Sequence, residues 1–451
     1  MLEKNKCYIS EITGITAEGN GICRIENMVV FVPNTAVGDK LSVKIVKVLK
    51  KYSFGIIDKI IIPSEDRIES DCAVSKKCGG CIFRHISYEA ECRIKQDIVV
   101  NSLKRIGGLN PQFDEFVSCD NISHYRNKAQ YPVALINGKA QCGFYAPRSH
   151  NLIPVTNCDL QPVIFKKITE YIMEYINKES ISVYSEITGE GDIRHLYLRQ
   201  GQYSKEIMVC IVARRNIADK LFKLKSISSQ LKNIVSIVLN INPDNTNVIL
   251  GKECITIYGS DTITDTMCGN TIQISPLSFY QVNTLQAEKL YEKALSYADP
   301  DENSVLVDLY CGTGTIGLSM ARKVKKVIGI EIINEAIDNA KINARNNNIF
   351  NAEFFCGDAG KILTQLIHSG CKPDILVIDP PRKGCSIDTL KTIIDASPEK
   401  IVMISCNPAT AARDLKWLSE NGYSVSKACG VDMFPRTGHV ECVVLLSRNE
   451  G

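Results

Sequence analysis

The stretch VLVDLYCGTGTIGLSMA, residues 305–321, passes within a few positions from an apolar run to a glycine-spaced turn and then to a helical pattern. Val305 to Leu309 read as a buried strand. Gly312, Gly314 and Gly317 then let the backbone approach a ligand at a helix N-terminus, where unpaired N–H groups favour polar or anionic groups. A second apolar run, VKKVIGIEI (324–332), carries Glu331, 19 residues beyond Gly312, where an acid grips ribose hydroxyls in nucleotide-binding sheets. The alternation continues through ILVIDPP (375–381) and KIVMISC (400–406), each followed by a helical pattern. The expected fold class over residues 271–451 is therefore α/β, a Rossmann-like doubly wound sheet. The last apolar run, HVECVVLLSR (439–448), follows GYSV after a loop and suits an antiparallel strand.

Upstream the pattern differs. Residues 1–60 read as short strands broken by glycine, the pattern of a small OB-like β-barrel. Leu41, Val43 and Ile45 share one face, but Val46 and Val48 take the other, so the alternation slips by one residue and predicts a bulge. Lys40, Lys44, Lys47, Lys50 and Lys51 line this ribbon. They suit an RNA surface and, equally, an edge guarded against aggregation. Residues 61–270 read as a central α+β domain. It opens with a cysteine-rich segment, Asp71 to Cys81, and a helical stretch from Ser87, which to about residue 120 is expected to pack on the C-terminal domain. Strands such as KAQYPVALI, RHLYLRQ, EIMVCIVA and IVSIVLNI follow.

A chain of 451 residues suits about three such domains. With 45% apolar and 23% charged residues, and no run of the ~20 apolar residues a membrane span needs, the chain is expected to be soluble. Charges occupy the N-terminus where a signal peptide would be apolar, so a cytoplasmic location, no membrane partner and a monomeric state are expected. Nineteen scattered cysteines then read mostly as buried thiols. The net charge of +3 equals the excess in the first sixty residues, where nine Lys or Arg face six acids.

The three glycines also satisfy a dinucleotide fingerprint, which keeps a nicotinamide-dependent oxidoreductase as a rival reading; a non-catalytic RNA-binding protein is a second. Asp308 ahead of the glycines, with Asp379-Pro380-Pro381-Arg382 at a strand end, favours S-adenosylmethionine instead. Asp358, in CGDA, suits the adenine edge. Cys406 ends the strand KIVMIS, where a thiolate can add to C6 of a uridine and make the otherwise unreactive C5 nucleophilic. A carboxylate must then take the C5 proton, and Glu441, set between Val440 and Cys442 in an apolar strand, is the candidate.

Together SFYQVN (278–283), DLYCGTGTIG (308–317), DPPRKG (379–384), ISCNP (404–408) and GHVECVVLL (438–446) resemble the uracil-C5 RNA methyltransferase family over nearly the whole chain. The resemblance implies Cys406 as nucleophile and Glu441 as proton acceptor. It also implies that Gln281, Tyr310, Thr315, Glu331, Asp358 and Asp379 border the S-adenosylmethionine site, and that Phe279 stacks on the target base.

Cys72, Cys78 and Cys81 form a C-x5-C-x2-C arrangement, and a fourth ligand would complete either a zinc site or an iron–sulfur cluster. Spacing does not choose between them. The ribosomal RNA branch of the family implies a [4Fe–4S] cluster with Cys158 as the fourth ligand. The N-terminal barrel resembles the TRAM domain, which with Arg126, Lys128 and Arg148 would form a basic track for RNA. The family's transfer RNA enzyme is expected to be a shorter chain without barrel or cysteine cluster, so 23S ribosomal RNA is the expected substrate.

Overall fold

The computed structural model describes residues 2–449. Its N-terminal sheet forms around fully buried Cys23, Val30, Val32, Leu41, Val43 and Ile45, which alternate with solvent-facing residues along their strands. The spatial order is Cys7–Glu11, Lys40–Val48, Tyr52–Ile62, Met28–Pro33, Asn20–Ile25, Gly14–Ile15. Both ends of this order belong to one stretch, residues 7–15, so the sheet curls back on itself as a barrel. The slip read from the sequence is present: pairing with Tyr52–Ile62 shifts between Ile45 and Lys47 and leaves Val46 as the extra residue.

A second sheet of seven strands runs Leu152–Pro154, Lys139–Tyr145, Lys128–Ile136, Ile193–Gln200, Ile207–Ala213, Ile234–Ile241, Glu253–Gly259. The helix Ile164–Lys178 covers it with Phe165, Ile168, Ile172 and Ile176, spaced three and four apart as one helical face requires.

The third sheet contains β1 (Val305–Leu309), β2 (Lys326–Glu331), β3 (Ala352–Cys356), β4 (Ile375–Ile378), β5 (Lys400–Ser405), β6 (Tyr423–Val431) and β7 (Glu441–Arg448). Their order is β3-β2-β1-β4-β5-β7-β6, with the short strand Gln112–Phe113 beyond β6. Strands β1 to β5 are parallel, and β7 enters antiparallel between β5 and β6. The winding reverses between β1 and β4. That reversal opens a crevice at the carboxyl ends, where ligands of such sheets bind.

Ser87 caps the helix Tyr88–Asn101 by accepting the Ala90 N–H at 3.2 Å. The helix runs on as a π-helical turn, Ser102–Gly107, and Val99 and Leu103 join Ala411, Ala412 and Leu415 of the helix Pro408–Glu420 in one apolar cluster. A buried ionic knot adds to this contact. The Lys95 ammonium donates to Glu91 and Asp432, each at 2.7 Å, and to the Phe434 carbonyl at 3.1 Å. The three charged side chains have no solvent exposure. The knot fixes the loop between β6 and β7. No helix among the described residues is long and apolar enough to cross a membrane.

Candidate active site

Ser405 of β5 pairs with Cys442 of β7, so the next step of the antiparallel register sets Cys406 beside Glu441 at the crevice. Glu441 is only 7% exposed, and burial pushes its carboxyl up to about 8; the nearby Asp379 acts in the same direction and Arg382 against it. Burial likewise raises Asp379 to about 7. The Cys406 thiol is raised by burial, Glu441 and Asp379, while the Arg382 guanidinium hydrogen-bonds it and pulls the other way. Arg382 is itself placed by the Cys406 turn. Asn407 Nδ2 donates to the Arg382 carbonyl at 3.1 Å, and Thr410 Oγ1 donates to it at 3.2 Å. The sequence quoted Arg382 only as part of a motif; its contact with the thiol comes from the fold.

The cofactor crevice is lined as the glycine pattern requires. Gly312 has φ +54° and nothing within 4 Å of where a Cβ would stand, so its place in the turn faces open space. A Cβ on Gly317 would lie 2.9 Å from Val327 and 3.1 Å from Asp308, so helix and strand meet only because it is glycine. Asp308 Oδ2 accepts the Gly317 N–H at 2.9 Å, whereas its Oδ1 is buried without a partner. Burial raises this carboxyl to about 8. Glu331 accepts N–H groups from Gly312 at 3.2 Å, Ile332 at 2.8 Å and Ile333 at 3.0 Å, which fixes its carboxylate at the end of β2. Asp358 caps the helix Ala359–His368 through the Lys361 N–H at 3.1 Å.

Gln281 and Thr315 meet through a residue the sequence reading missed. The buried Tyr291 hydroxyl lies 3.3 Å from Thr315 Oγ1, is hydrogen-bonded by Gln281 and feels the charge of Asp379. Tyr291 was hidden because it falls on the apolar face of the helix Thr284–Ala298. The Tyr310 hydroxyl meets Cys385 and Thr389 near Asp358. Phe279, ahead of Gln281, is 65% exposed and therefore not a core residue.

The four cysteines come together. Cys72, Cys78, Cys81 and Cys158 line one cavity of about 170 Å³ with Arg84 and Arg126. Among the described residues, however, no group of three or more His, Cys, Asp or Glu side chains is arranged so that it could hold a metal ion. Beyond the cavity, Lys128 faces Arg199 across neighbouring strands, and burial with Arg199 and Arg126 pushes the lysine down to about 8. Arg126 Nε and Arg199 Nη1 are buried without partners. The sequence had grouped Arg126 and Lys128 with Arg148; Arg199 completes the cluster instead.

Residues 87–449 match the family model described as tRNA (Uracil-5-)-methyltransferase, and residues 11–57 match the TRAM domain. An uncharacterized RNA methyltransferase of Clostridium tetani is 42% identical over 447 residues, spanning 99% of this chain and 97% of its own. A relative of the same description from Clostridium acetobutylicum is 43% identical over 451 residues, with 99% and 98% covered. Among solved structures, the Pyrococcus abyssi tRNA (uracil-54, C5)-methyltransferase in complex with S-adenosyl-L-homocysteine matches with a TM-score of 0.77 at 26% identity, over 97% of this chain and 100% of its own. That transfer RNA enzyme spans the whole architecture, which overturns the expectation that such an enzyme would be shorter and removes chain length as an argument for ribosomal RNA. The oxidoreductase reading falls with the same matches. The chain belongs to the tRNA (uracil-5-)-methyltransferase family, with a TRAM domain at its N-terminus.

Proposed function

We propose that this enzyme methylates carbon 5 of a uridine in 23S ribosomal RNA, with Cys406 as the nucleophile and Glu441 as the proton acceptor. The observation that carries the reading is the register that sets these two side chains together beside Arg382. The Cys406 thiolate adds to C6, and the electron pair of the C5–C6 double bond moves toward C5 and O4. S-adenosylmethionine supplies the methyl group and leaves as S-adenosylhomocysteine. Glu441 then takes the C5 proton, and the electrons of the C–H bond restore the C5–C6 double bond as the C6–S bond breaks. Gln281, Tyr310, Thr315, Glu331, Asp358 and Asp379 hold the methyl donor, and Phe279 stacks on the base. Arg126, Lys128 and Arg199, a buried cationic cluster short of hydrogen-bond partners, face RNA phosphate.

Cys72, Cys78, Cys81 and Cys158 hold a [4Fe–4S] cluster, which ties the loop after the barrel to the middle sheet. The Ile82 and Phe83 N–H groups, just past Cys81, donate to the Arg436 carbonyl at 2.9 and 3.2 Å. The cysteine loop thereby supports the turn leading to Glu441. We divide the chain at about residues 60 and 270. A second reading, transfer RNA as substrate, is favoured by the full-length match to the Pyrococcus abyssi enzyme.

Methylation of unmodified ribosomal and transfer RNA with labelled methyl donor, followed by mapping, decides between the substrates. Cys406→Ala should give neither methyl transfer nor exchange of the C5 hydrogen. Glu441→Gln should accumulate a protein–RNA adduct that survives denaturing electrophoresis and maps to the Cys406 peptide. An adduct on another cysteine, or release by Glu441→Gln at the parent rate, overturns these roles.

A further inference from the structure

The outer face of the N-terminal barrel carries three aromatic rings that neither its core nor the catalytic site uses. Pairing across four strands aligns Ile22, Phe31, Phe54 and Lys47 in one row. Arg24, Val29 and Tyr52 form the next row, two residues along and therefore on the same face. The opposite face holds buried Cys23, Val30 and Ser53. Ring centroids of Phe31, Tyr52 and Phe54 lie 5.6 to 5.8 Å apart, and Tyr52 is 38% exposed. Cations rim this trio: Arg24 and Lys47 end the rows, and Lys50 and Lys51 precede Tyr52. None of the four is ion-paired among the described residues.

We propose that Phe31, Tyr52 and Phe54 form a stacking platform for unpaired RNA bases, with Arg24, Lys47, Lys50 and Lys51 holding the phosphates on either side. The proposal rests on the reading of this chain as an RNA enzyme and adds the mode of contact. Cross-strand aromatic pairs also steady a sheet. That explains why the rings meet one another, but not why a solvent-facing cluster is ringed by unpaired cations. Base stacking uses both features, because every base has a π-face and every nucleotide a charge. The location fits as well. A Cβ on Gly19 would lie 2.5 Å from Ile82, and one on Gly438 2.7 Å from the Ala17 carbonyl, so the hairpin leading to the platform touches the turn before Glu441. Ile22, in the first row, lies three residues past Gly19, about 10 Å along an extended strand. The platform is thus built on the strand that leaves this contact with the turn before Glu441.

The test uses the full-length protein and a fluorescein-labelled single-stranded ribo-oligonucleotide of about twelve nucleotides, within the span of one such fold. A duplex of the same length is the comparison. Tyr52→Leu keeps apolar bulk in the sheet but removes the π-face, and should weaken single-strand binding roughly tenfold, with less effect on the duplex. Tyr52→Trp should restore binding, and its fluorescence should be quenched by the oligonucleotide beyond any change at Trp417. Equal affinity in Tyr52→Leu, an equal loss for both RNA forms, or an unquenched Trp at saturation overturns the platform. Cys406-dependent methylation by the parent enzyme is measured alongside. Its absence removes the catalytic reading, whereas unchanged Tyr52→Leu binding with parent methylation present removes the platform alone.

Discussion

Replacing Arg382 with methionine removes the cation that opposes burial, Glu441 and Asp379 at the Cys406 thiol. The backbone carbonyl of residue 382 still accepts from Asn407 and Thr410, so the turn should persist and the change should be electrostatic. Loss of the nearby cation moves the thiol further in the direction in which burial and the two carboxylates already push it. The Arg382 side chain is exposed, so solvent screens its charge; the effect should be about 1 kcal/mol or less, a severalfold slowing of alkylation at neutral pH. The assay is iodoacetamide alkylation of the Cys406 peptide, followed by mass spectrometry across a pH series. It needs no RNA and reads one cysteine among nineteen. The alkylation midpoint should move upward in Arg382→Met and lie between parent and Met in Arg382→Lys. An unchanged midpoint would refute the argument that Arg382 sets the thiolate. A lowered one would show that burial and the two carboxylates do not dominate the site.

Lys95→Met strands Glu91 and Asp432 in the interior and should cost about 3 to 5 kcal/mol in denaturant unfolding; a cost below about 1 kcal/mol would show that the knot is not a stabilising contact. Asp308 holds a proton in the folded state up to about pH 8 that the unfolded chain releases near pH 4. Folded protein thus binds more protons across that window, and stability should fall as pH rises through it. Asp308→Asn should flatten this fall in melting curves at pH 5 and pH 8, and an equally steep fall would place the titration elsewhere. Anaerobically purified protein should be brown, and Cys78→Ser should lose its iron, measured per chain by metal analysis. Colourless parent protein with one zinc per chain would reject the cluster.

Local chemistry was legible where a short stretch carries the whole constraint. The glycine-spaced turn after β1 is such a case, because no side chain fits at Gly317. Another is the bulge at Val46, where the alternation of Leu41, Val43 and Ile45 breaks. What could not be read depends on partners far apart in the chain. Nothing near residue 95 announces Asp432, and Arg199 has no periodic signal marking it as the neighbour of Lys128. Tyr291 carried the right chemistry on an apolar helical face, where periodicity reads it only as core. Phe279 was ambiguous between core and ligand contact, and its exposure removes only the core reading. The cysteine spacing left zinc and a cluster level, since spacing gives the number of donors but not what they hold.

The knot between Lys95 and Asp432 joins positions 337 residues apart. At a synthesis rate of about 5 to 20 residues per second, the helix bearing Lys95 emerges some 20 to 70 seconds before its partner exists. During that interval Lys95 has only Glu91, four residues away on its own helix, as a carboxylate mate. The turn before Glu441 is thus assembled only once strands β6 and β7 arrive to meet a helix already waiting. A nascent chain that stalls before residue 432 would have its barrel and middle sheet complete, and its cofactor crevice largely formed, yet it would lack Glu441, the proposed base. Completion of the proposed site therefore waits for a segment 337 residues downstream of the helix that anchors it.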